Sequence, residues 1–237
     1  MKKMKKVIIG VVGKKLSGKG TFGMFLRETC VGKHVVLMGF SDILRDTLRD
    51  WDIPETRHNL QRLAIFMNHE FGEGTLARAV KRRLVRIDAD IVVIDGVRWL
   101  SDRDMLRKIR GCMMVYVTAN ISYRFDRRLA GQKTGEASVS REQFLIEEQA
   151  EPEQYIEEIG MSADATIENN GTPEEFRTKV QKFCEKFQQI CSIEKIKSHE
   201  NLKPNHVKLL MNGALCSGRE NSLCRGATKA VFIDSIL

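Results

Sequence analysis

A glycine-rich loop near the start of the chain, between an apolar run and a helical pattern, most constrains what this sequence can fold into. The apolar run Val7–Val12 predicts a buried strand, and Lys19–Thr29 has the spacing of a helix. Between them, Gly13, Gly18 and Lys19 match the pattern G-x-x-x-x-G-K. A strand, a glycine-rich turn and a helix in this order are the context that this phosphate-binding motif requires. The motif therefore predicts a nucleoside-triphosphate site, with ATP as the expected ligand.

The residue types in this loop have distinct expected roles. Glycines allow successive backbone N–H groups to point at phosphates, and the helix N-terminus adds partial positive charge. Lys19 is expected to reach the β- and γ-phosphates and to offset the charge of the transition state. Gly20 occupies the position at which a hydroxyl is usual, so Thr21 is the candidate ligand of Mg²⁺. The predicted cofactor-binding residues of the loop are Gly13, Ser17, Gly18, Lys19, Gly20 and Thr21.

Short apolar runs alternate with helical patterns over residues 1–190. Strands are predicted at 7–12, 34–38, 91–94, 113–118 and 165–167, and helices at 19–29, 42–49, 56–71, 75–87, 101–109, 121–129, 141–149 and 173–187. Capping residues are predicted at Ser41, Ser140 and Thr172. Continuous apolar strands are typical of parallel sheets covered on both faces. The alternation predicts a doubly wound α/β fold with a parallel sheet of about five strands and a helical lid.

The last part of the chain differs in character. Residues 191–204 are polar and lysine-rich, which predicts a linker. Residues 205–237 contain one weak helical pattern and a final apolar run, and such a segment cannot form a core alone. The predicted organisation is a domain over 1–190, a linker over 191–204 and an incomplete tail over 205–237.

Composition narrows the class of partner and the compartment. The net charge of +8 suits an anionic ligand. The chain has no arginine-rich run, so the hypothesis of a nucleic-acid-dependent ATPase is supported by net charge alone. The 6 cysteines form no C-x-x-C pair, which predicts reduced thiols. The apolar run at 7–12 is too short for a signal peptide, and no segment approaches a membrane span. A cytoplasmic location, with no membrane partner, is the expectation.

An acidic residue follows the third predicted strand. Asp95 comes directly after the apolar run at 91–94, and Arg98 lies three residues further on. The carboxyl ends of parallel strands line the ligand crevice of such sheets. Asp95 could hold Mg²⁺ through its water shell or orient the acceptor oxygen, and Arg98 could fork onto an acceptor phosphate. The alternative is a helix-capping aspartate and a solvated arginine.

Further acceptor residues are predicted near the second strand. Asp42 follows that strand and could act as a general base, while Arg45, one turn on, could bind a phosphate. A solvated first-turn acid is an equally supported role for Asp42. Arg57, Gln61 and Arg62 share a predicted helix and could line an acceptor pocket or simply lie on the surface.

A basic stretch indicates a lid that closes over the phosphates. Arg124 lies three and four residues before Arg127 and Arg128, so these side chains share one helix face, and Lys133 follows near two glycines. Small-molecule kinases need a mobile segment that brings cations to the phosphates and expels water. The alternative is a charged helix surface.

These motifs together resemble the P-loop kinase group that contains dephospho-coenzyme A kinases, deoxynucleoside monophosphate kinases and adenylate kinases. The similarity runs over residues 5–187. The stretch Ala163-Asp164-Ala165-Thr166-Ile167-Glu168-Asn169-Asn170-Gly171-Thr172 is similar to the late strand and turn of dephospho-coenzyme A kinases. In that family the turn lies against the adenine base, which implies that Asn170 and Gly171 lie near the base of ATP. The resemblance does not distinguish between a nucleotide and dephospho-coenzyme A as the acceptor.

Residues 202–233 carry a second resemblance, to the opening helix and first strand of deoxycytidylate deaminases. Some of those deaminases have an N-terminal kinase-like region, which matches this order of parts. A zinc deaminase needs an H-x-E segment and a later P-C-x-x-C to hold its metal, and this sequence has neither. The resemblance implies a deaminase domain in a longer parent protein, not an active deaminase here.

Two functions follow as hypotheses. The first is an ATP- and Mg²⁺-dependent kinase of a small phosphorylated acceptor. Its predicted catalytic residues are Lys19, Asp95, Asp42, Arg124 and Arg127, its substrate-binding residues Arg45, Gln61 and Arg98, and its metal ligands Thr21 and Asp95. The second is a nucleotide-sensing regulatory domain whose partner is a deaminase. A reading frame that continues into H-x-E and P-C-x-x-C would favour the second.

Overall fold

The computed structural model describes residues 6–131, 140–149 and 153–197, with side chains up to residue 187. Its centre is a sheet of 5 parallel strands in the order β2-β3-β1-β4-β5. The strands are β1 Val7–Val12, β2 Val35–Gly39, β3 Ile91–Val97, β4 Cys112–Thr118 and β5 Ala165–Glu168. The predicted doubly wound α/β fold is confirmed, and every predicted strand is present within a few residues of its expected bounds.

Helices flank this sheet. They are α1 Lys19–Thr29, α2 Ser41–Asp50, α3 Arg57–Phe71, α4 Thr75–Arg86, α5 Leu100–Arg107, α6 Ile121–Ala130, α7 Arg141–Glu148, α8 Ile156–Met161 and α9 Pro173–Lys197. The predicted caps at Ser140 and Thr172 are correct, because their hydroxyls accept hydrogen bonds from the backbone N–H groups of Gln143 and Glu175. The cap at Ser41 is wrong. The helix already begins at Ser41, and the carboxylate of Asp42 accepts from the Gly39 N–H instead.

Two apolar clusters cover the two faces of the sheet. One cluster packs α2, α3, α4, α5 and α8 against the sheet, with Ile94 and Met114 fully buried. The other packs α1 and α9 against the opposite face, where the rings of Phe22 and Phe183 lie 5.6 Å apart, edge to face. Burial on both faces explains why the central strands are continuous apolar runs and not alternating ones.

The order of the strands determines where a ligand can bind. β1 lies between β3 and β4, and Val11 on β1 pairs with Asp95 on β3. The chain proceeds from β1 to β2 and β3 on one side of β1, and to β4 and β5 on the other. Ligands of open α/β sheets bind beyond the carboxyl ends of the strands, where the order reverses. The loop that follows Val12 lies at that position.

The end of the described chain is helical. α9 extends to Lys197, past residue 187 where the sequence pattern predicts its end. The tail at 205–237 and its deaminase-like features lie outside the described residues, and the division into domain, linker and tail stays a prediction. Within the described residues no helix is both long enough and apolar enough to cross a membrane.

Candidate functional site

The glycine-rich loop connects β1 directly to α1. Gly18 is the N-cap of α1 and has a φ of 103°, a conformation that favours glycine. A Cβ atom on Gly18 would lie 2.3 Å from Nδ2 of Asn169, and one on Gly13 would lie 2.2 Å from the carbonyl oxygen of Val117. Both positions therefore need glycine for steric reasons. Leu16, between them, has a φ of 60°, which is uncommon for a branched side chain.

Side chains outside the loop hold its carbonyl groups. Nδ2 of Asn169 donates to the carbonyl of Ser17 at 2.9 Å. The guanidinium of Arg127 donates to the carbonyls of Leu16 at 3.1 Å and of Asn169 at 2.8 Å. Arg124 donates more weakly to the carbonyl of Lys15, at 3.4 Å. The turn after β5 and the helix α6 therefore stabilise the conformation of the loop.

Lys19, the first residue of α1, lies among the other charged groups of the site. Its Nζ donates to the carbonyl of Lys14 at 3.0 Å. Burial lowers the pKa of Lys19, the carboxylate of Asp95 opposes that shift, and Arg98 and Arg124 add to it. The structure thus brings Lys19, Asp95, Arg98 and Arg124 into one electrostatic environment, although they come from four different elements.

Two polar atoms of this site have no protein partner. Oδ1 of Asp95 and Oγ of Ser17 are buried and form no hydrogen bond with any described residue. Ser17 is 0% exposed. Buried polar atoms in native proteins are nearly always hydrogen-bonded, so orphaned atoms beside a phosphate loop point to a ligand.

The side chains of Asp95 and Thr21 fit a magnesium ion that is held mainly by phosphate and water. No group of three or more His, Cys, Asp or Glu side chains that could hold a metal exists among the described residues. Mg²⁺ in phosphate-transfer sites takes only one or two protein ligands, with phosphates and water completing its octahedron. Asp95, with its free Oδ1, and Thr21, on the first turn of α1, are the residues that could hold it.

The predicted acceptor residues divide into two groups. Arg98 lies at the site and pairs with Glu153. Arg45 instead pairs with Glu55 at 3.6 Å, on the outer side of α2. Oδ2 of Asp42 is occupied by the Gly39 N–H at 2.7 Å, and Gln61 is half-buried on α3. Asp95 and Arg98 both act electrostatically on Lys19 of the loop, whereas Arg45 pairs with Glu55 and Asp42 accepts from the Gly39 N–H.

A buried carboxylate positions the segment that carries Arg98. Oδ2 of Asp102 accepts hydrogen bonds from the backbone N–H groups of Arg98, at 3.2 Å, and Trp99, at 3.1 Å. Asp102 is 1% exposed, and burial raises its pKa from 3.8 to about 7, although the two backbone hydrogen bonds and Arg98 act in the opposite direction. The start of α5 is therefore fixed through an acid that is part protonated near neutral pH.

We expect this acid to make the stability of the fold depend on pH. Between pH 4 and 7 the folded chain keeps a proton on Asp102 that the unfolded chain releases, so the free energy of unfolding falls as pH rises, by up to about 1.4 kcal/mol per pH unit. Asp102→Asn should remove this part of the dependence while leaving an oxygen to accept a hydrogen bond. Urea denaturation at several pH values measures both slopes. If the free energy of unfolding changed with pH equally in the wild type and in Asp102→Asn, Asp102 would not be the source of the dependence.

The turn after β5 contributes a residue that the sequence patterns did not select. Asn170, predicted near the base of ATP, accepts a hydrogen bond from the Asn120 N–H at 2.7 Å and donates to Glu168 at 2.7 Å. Gly171 follows it in the turn. Asn169 is the member of this turn that contacts the loop, because its side chain is buried against Ser17.

Carboxylates from the segment after α6 form a second set of missed residues. Each pairs with a cation of the loop or its surroundings: Glu147 with Lys15 at 2.5 Å, Glu148 with Arg124 at 2.7 Å, Glu153 with Arg57 at 3.5 Å and with Arg98, and Glu157 with Lys14 at 2.7 Å. The sequence does carry a signal, since residues 147–153 are an acidic run in a basic chain. Lys133 and Gly135, predicted parts of the lid, lie outside the described residues.

Comparison with curated proteins finds relatives that are named UPF0200 proteins. No protein-family model matches the chain. It is 27% identical over 191 residues to a UPF0200/UPF0201 protein of Archaeoglobus fulgidus, covering 79% of this chain and 58% of that protein. It is 29% identical over 177 residues to a UPF0200 protein of Hyperthermus butylicus, covering 75% of this chain and 92% of that relative. The chain therefore spans less than two thirds of the length of the Archaeoglobus relative.

Comparison with solved structures concerns the fold. Shikimate kinase from Bacteroides thetaiotaomicron aligns with a TM-score of 0.50 and 15% identity, over 76% of this chain and 96% of that one. Identity at this level is evidence about architecture and not about substrate. Together with the strand order, the alignment shows that this chain shares its α/β fold with that protein.

Proposed function

We propose that this protein transfers the γ-phosphoryl group of ATP to a small acceptor that already carries a phosphate, such as a (deoxy)nucleoside monophosphate or dephospho-coenzyme A. One observation carries the proposal. Lys19, at the end of the glycine-rich loop, shares one electrostatic environment with Asp95, Arg98 and Arg124, and Oδ1 of Asp95 is buried with no hydrogen-bond partner among the described residues. An acid that can accept the proton of an acceptor hydroxyl is needed for phosphoryl transfer and not for nucleotide binding alone.

The nucleotide side of the reaction relies on charge and position. The loop's N–H groups and the N-terminus of α1 would bind the phosphates, and Lys19 would neutralise charge on the γ-phosphoryl group. Thr21 would hold Mg²⁺, with Asp95 reaching it through the water shell of the ion, and the metal would supply positive charge near the phosphates. Arg124 and Arg127 on α6 already contact loop carbonyls, so a small movement would bring their guanidinium groups to the phosphates.

The acceptor side relies on Asp95 and Arg98. A phosphoryl transfer with a loose transition state needs its acceptor oxygen oriented in line with the leaving group. Oδ1 of Asp95 is free to accept the proton of an acceptor hydroxyl, whereas Oδ2 of Asp42 already accepts from the Gly39 N–H. Arg98 would bind the acceptor's own phosphate, since a guanidinium matches phosphate oxygens in a two-pronged geometry.

A phosphotransfer screen tests this function. The full chain is incubated with Mg²⁺, labelled ATP and each member of a panel of nucleoside monophosphates, dephospho-coenzyme A and unphosphorylated sugars. We expect phosphorylation of a phosphate-bearing acceptor, and a loss of about 10²-fold or more in Asp95→Asn, since a positioned proton acceptor contributes at least that factor. Asp88→Asn, an exposed aspartate beyond α4, is the matched control and should retain the wild-type rate. ATP binding with no acceptor phosphorylated would contradict the proposal.

A further inference from the structure

Three glutamates from one short part of the chain are the partners of cations at the phosphate site. Glu147 and Glu148 lie at the end of α7, and Glu153 lies just before α8. We call these three residues the carboxylate latch. Their ion pairs are Glu147–Lys15 at 2.5 Å, Glu148–Arg124 at 2.7 Å, Glu153–Arg57 at 3.5 Å and Glu153–Arg98.

The carboxylate latch is buried but incompletely satisfied. The side chain of Glu153 is 0% exposed and that of Glu148 is 7% exposed. Oε2 of Glu153 and Oε1 of Glu148 are buried without a hydrogen-bond donor in the described part of the chain, whereas Oε2 of Glu148 faces the guanidinium of Arg124. A buried ion pair offsets its desolvation only when its remaining lone pairs are also hydrogen-bonded. This arrangement therefore holds the cations less favourably than a ligand with better-placed oxygens would.

Phosphates and carboxylates compete for the same donors. Lysine and arginine bind both groups through charge-assisted hydrogen bonds of the same geometry. Lys15 belongs to the loop itself, and Arg124 donates to its carbonyl. A polyphosphate in the loop would bring several negative charges close to Glu147 and Glu148, and like charges repel strongly at a site with little water. Ion pairing of these carboxylates with the cations and binding of a polyphosphate therefore destabilise each other.

We propose that the carboxylate latch is an autoinhibitory contact, in which Glu147, Glu148 and Glu153 pair with the cations around the glycine-rich loop and leave when a polyphosphate binds. The inference rests on the proposed function in taking the loop as the nucleotide site. Departure of the latch frees Lys15, Arg57, Arg98 and Arg124 to bind the nucleotide and the acceptor.

Affinity for inorganic tripolyphosphate tests the competition. Glu148→Gln and Glu153→Gln keep the shape of each side chain and remove its charge. Each variant should bind tripolyphosphate about tenfold more tightly than the wild type, since like charges placed together disfavour association. Glu28→Gln is the matched control, because Glu28 pairs with Arg177 between α1 and α9, away from the loop. Its affinity should equal that of the wild type. Isothermal titration calorimetry on the full chain measures the affinities of the wild type and the three variants for tripolyphosphate.

Hydrogen exchange on the wild-type chain provides a second measurement that does not depend on whether the variants fold. Saturating tripolyphosphate should increase amide exchange in α7 at least several-fold while protecting the loop and the first turn of α1. Unchanged exchange in α7 would overturn the proposal. A folded Glu153→Gln chain that binds tripolyphosphate no more tightly than Glu28→Gln would also overturn it, as would the absence of binding by every chain.

These outcomes can be told apart from those of the kinase proposal. Both measurements use tripolyphosphate in the absence of any phosphoryl acceptor. Neither of them measures turnover. Tighter binding by the variants together with a negative phosphotransfer screen would retain the latch and reject the kinase. Normal turnover together with unchanged exchange in α7 would retain the kinase and reject the latch.

Discussion

Replacing Lys19 by methionine should lower the rate of phosphoryl transfer by about 10³-fold or more, the scale associated with one cation that stabilises a transferring phosphoryl group. Methionine has a similar length and can remain half-buried at the start of α1. It loses the charge that would meet the γ-phosphoryl group and the hydrogen bond to the carbonyl of Lys14. Single-turnover transfer of labelled phosphate, measured with saturating ATP, separates this loss from weaker binding.

The fold should survive this substitution. Lys19 has a lowered pKa because it is buried, so removing its charge relieves a desolvation cost at the same time as it removes a hydrogen bond. Lys81→Met, at an exposed position on α4, is the matched control and should keep the wild-type rate. A Lys19→Met chain that transfers phosphate within tenfold of the wild-type rate would show that another group neutralises the γ-phosphoryl charge.

Replacing Gly13 by alanine should lower the free energy of unfolding by about 3 kcal/mol, the upper part of the range for overpacking a tight site. The added Cβ would lie 2.2 Å from the carbonyl oxygen of Val117, which belongs to β4. That oxygen is part of the backbone and cannot rotate away, so the loop or the strand must move. Urea denaturation measures the loss of stability, and thermal shift with ATP measures the accompanying loss of nucleotide binding.

Gly20 provides an internal comparison for the same change. A Cβ on Gly20 would meet nothing within 4 Å, and the residue lies inside α1. Gly20→Ala should therefore raise the free energy of unfolding by about 0.5–1 kcal/mol through helix propensity alone. If Gly13→Ala unfolds at the same denaturant concentration as the wild type, the close approach of the loop to β4 is not present in solution.

The sequence predicts the strand, loop and helix at the start of the candidate site well because these three parts are adjacent in the chain. The strand β1, the loop and the helix α1 are consecutive, and their signals are an apolar run, fixed glycine spacing and helical periodicity. The observed bounds Val7–Val12 and Lys19–Thr29 equal the predicted ones. Asp95 was also identifiable, because an acid at the end of a buried strand must lie near the edge of the sheet where ligands bind.

The partners of the cations were not predictable in this way. Glu148 and Arg124 lie on different helices, and nothing in the spacing of either helix indicates that they meet. Ion pairs between distant elements depend on how those elements pack, which local periodicity does not encode. The helix α8 was missed for another reason. It has 6 residues, too few for a helical period to show, and it is identifiable only through the burial of Ile156 and Ile159.

The central position of β1 has a consequence for how the chain folds during synthesis. β1 emerges from the ribosome well before its hydrogen-bonding neighbours β3 and β4, which begin at Ile91 and Cys112. Non-local pairing of this kind is slow, because a long loop must close before any contact forms. β5, which contributes the turn that holds Ser17, comes later still. The glycine-rich loop between β1 and α1 is therefore synthesised before most of the elements that hold it. It is among the last parts of the domain to become able to bind a ligand.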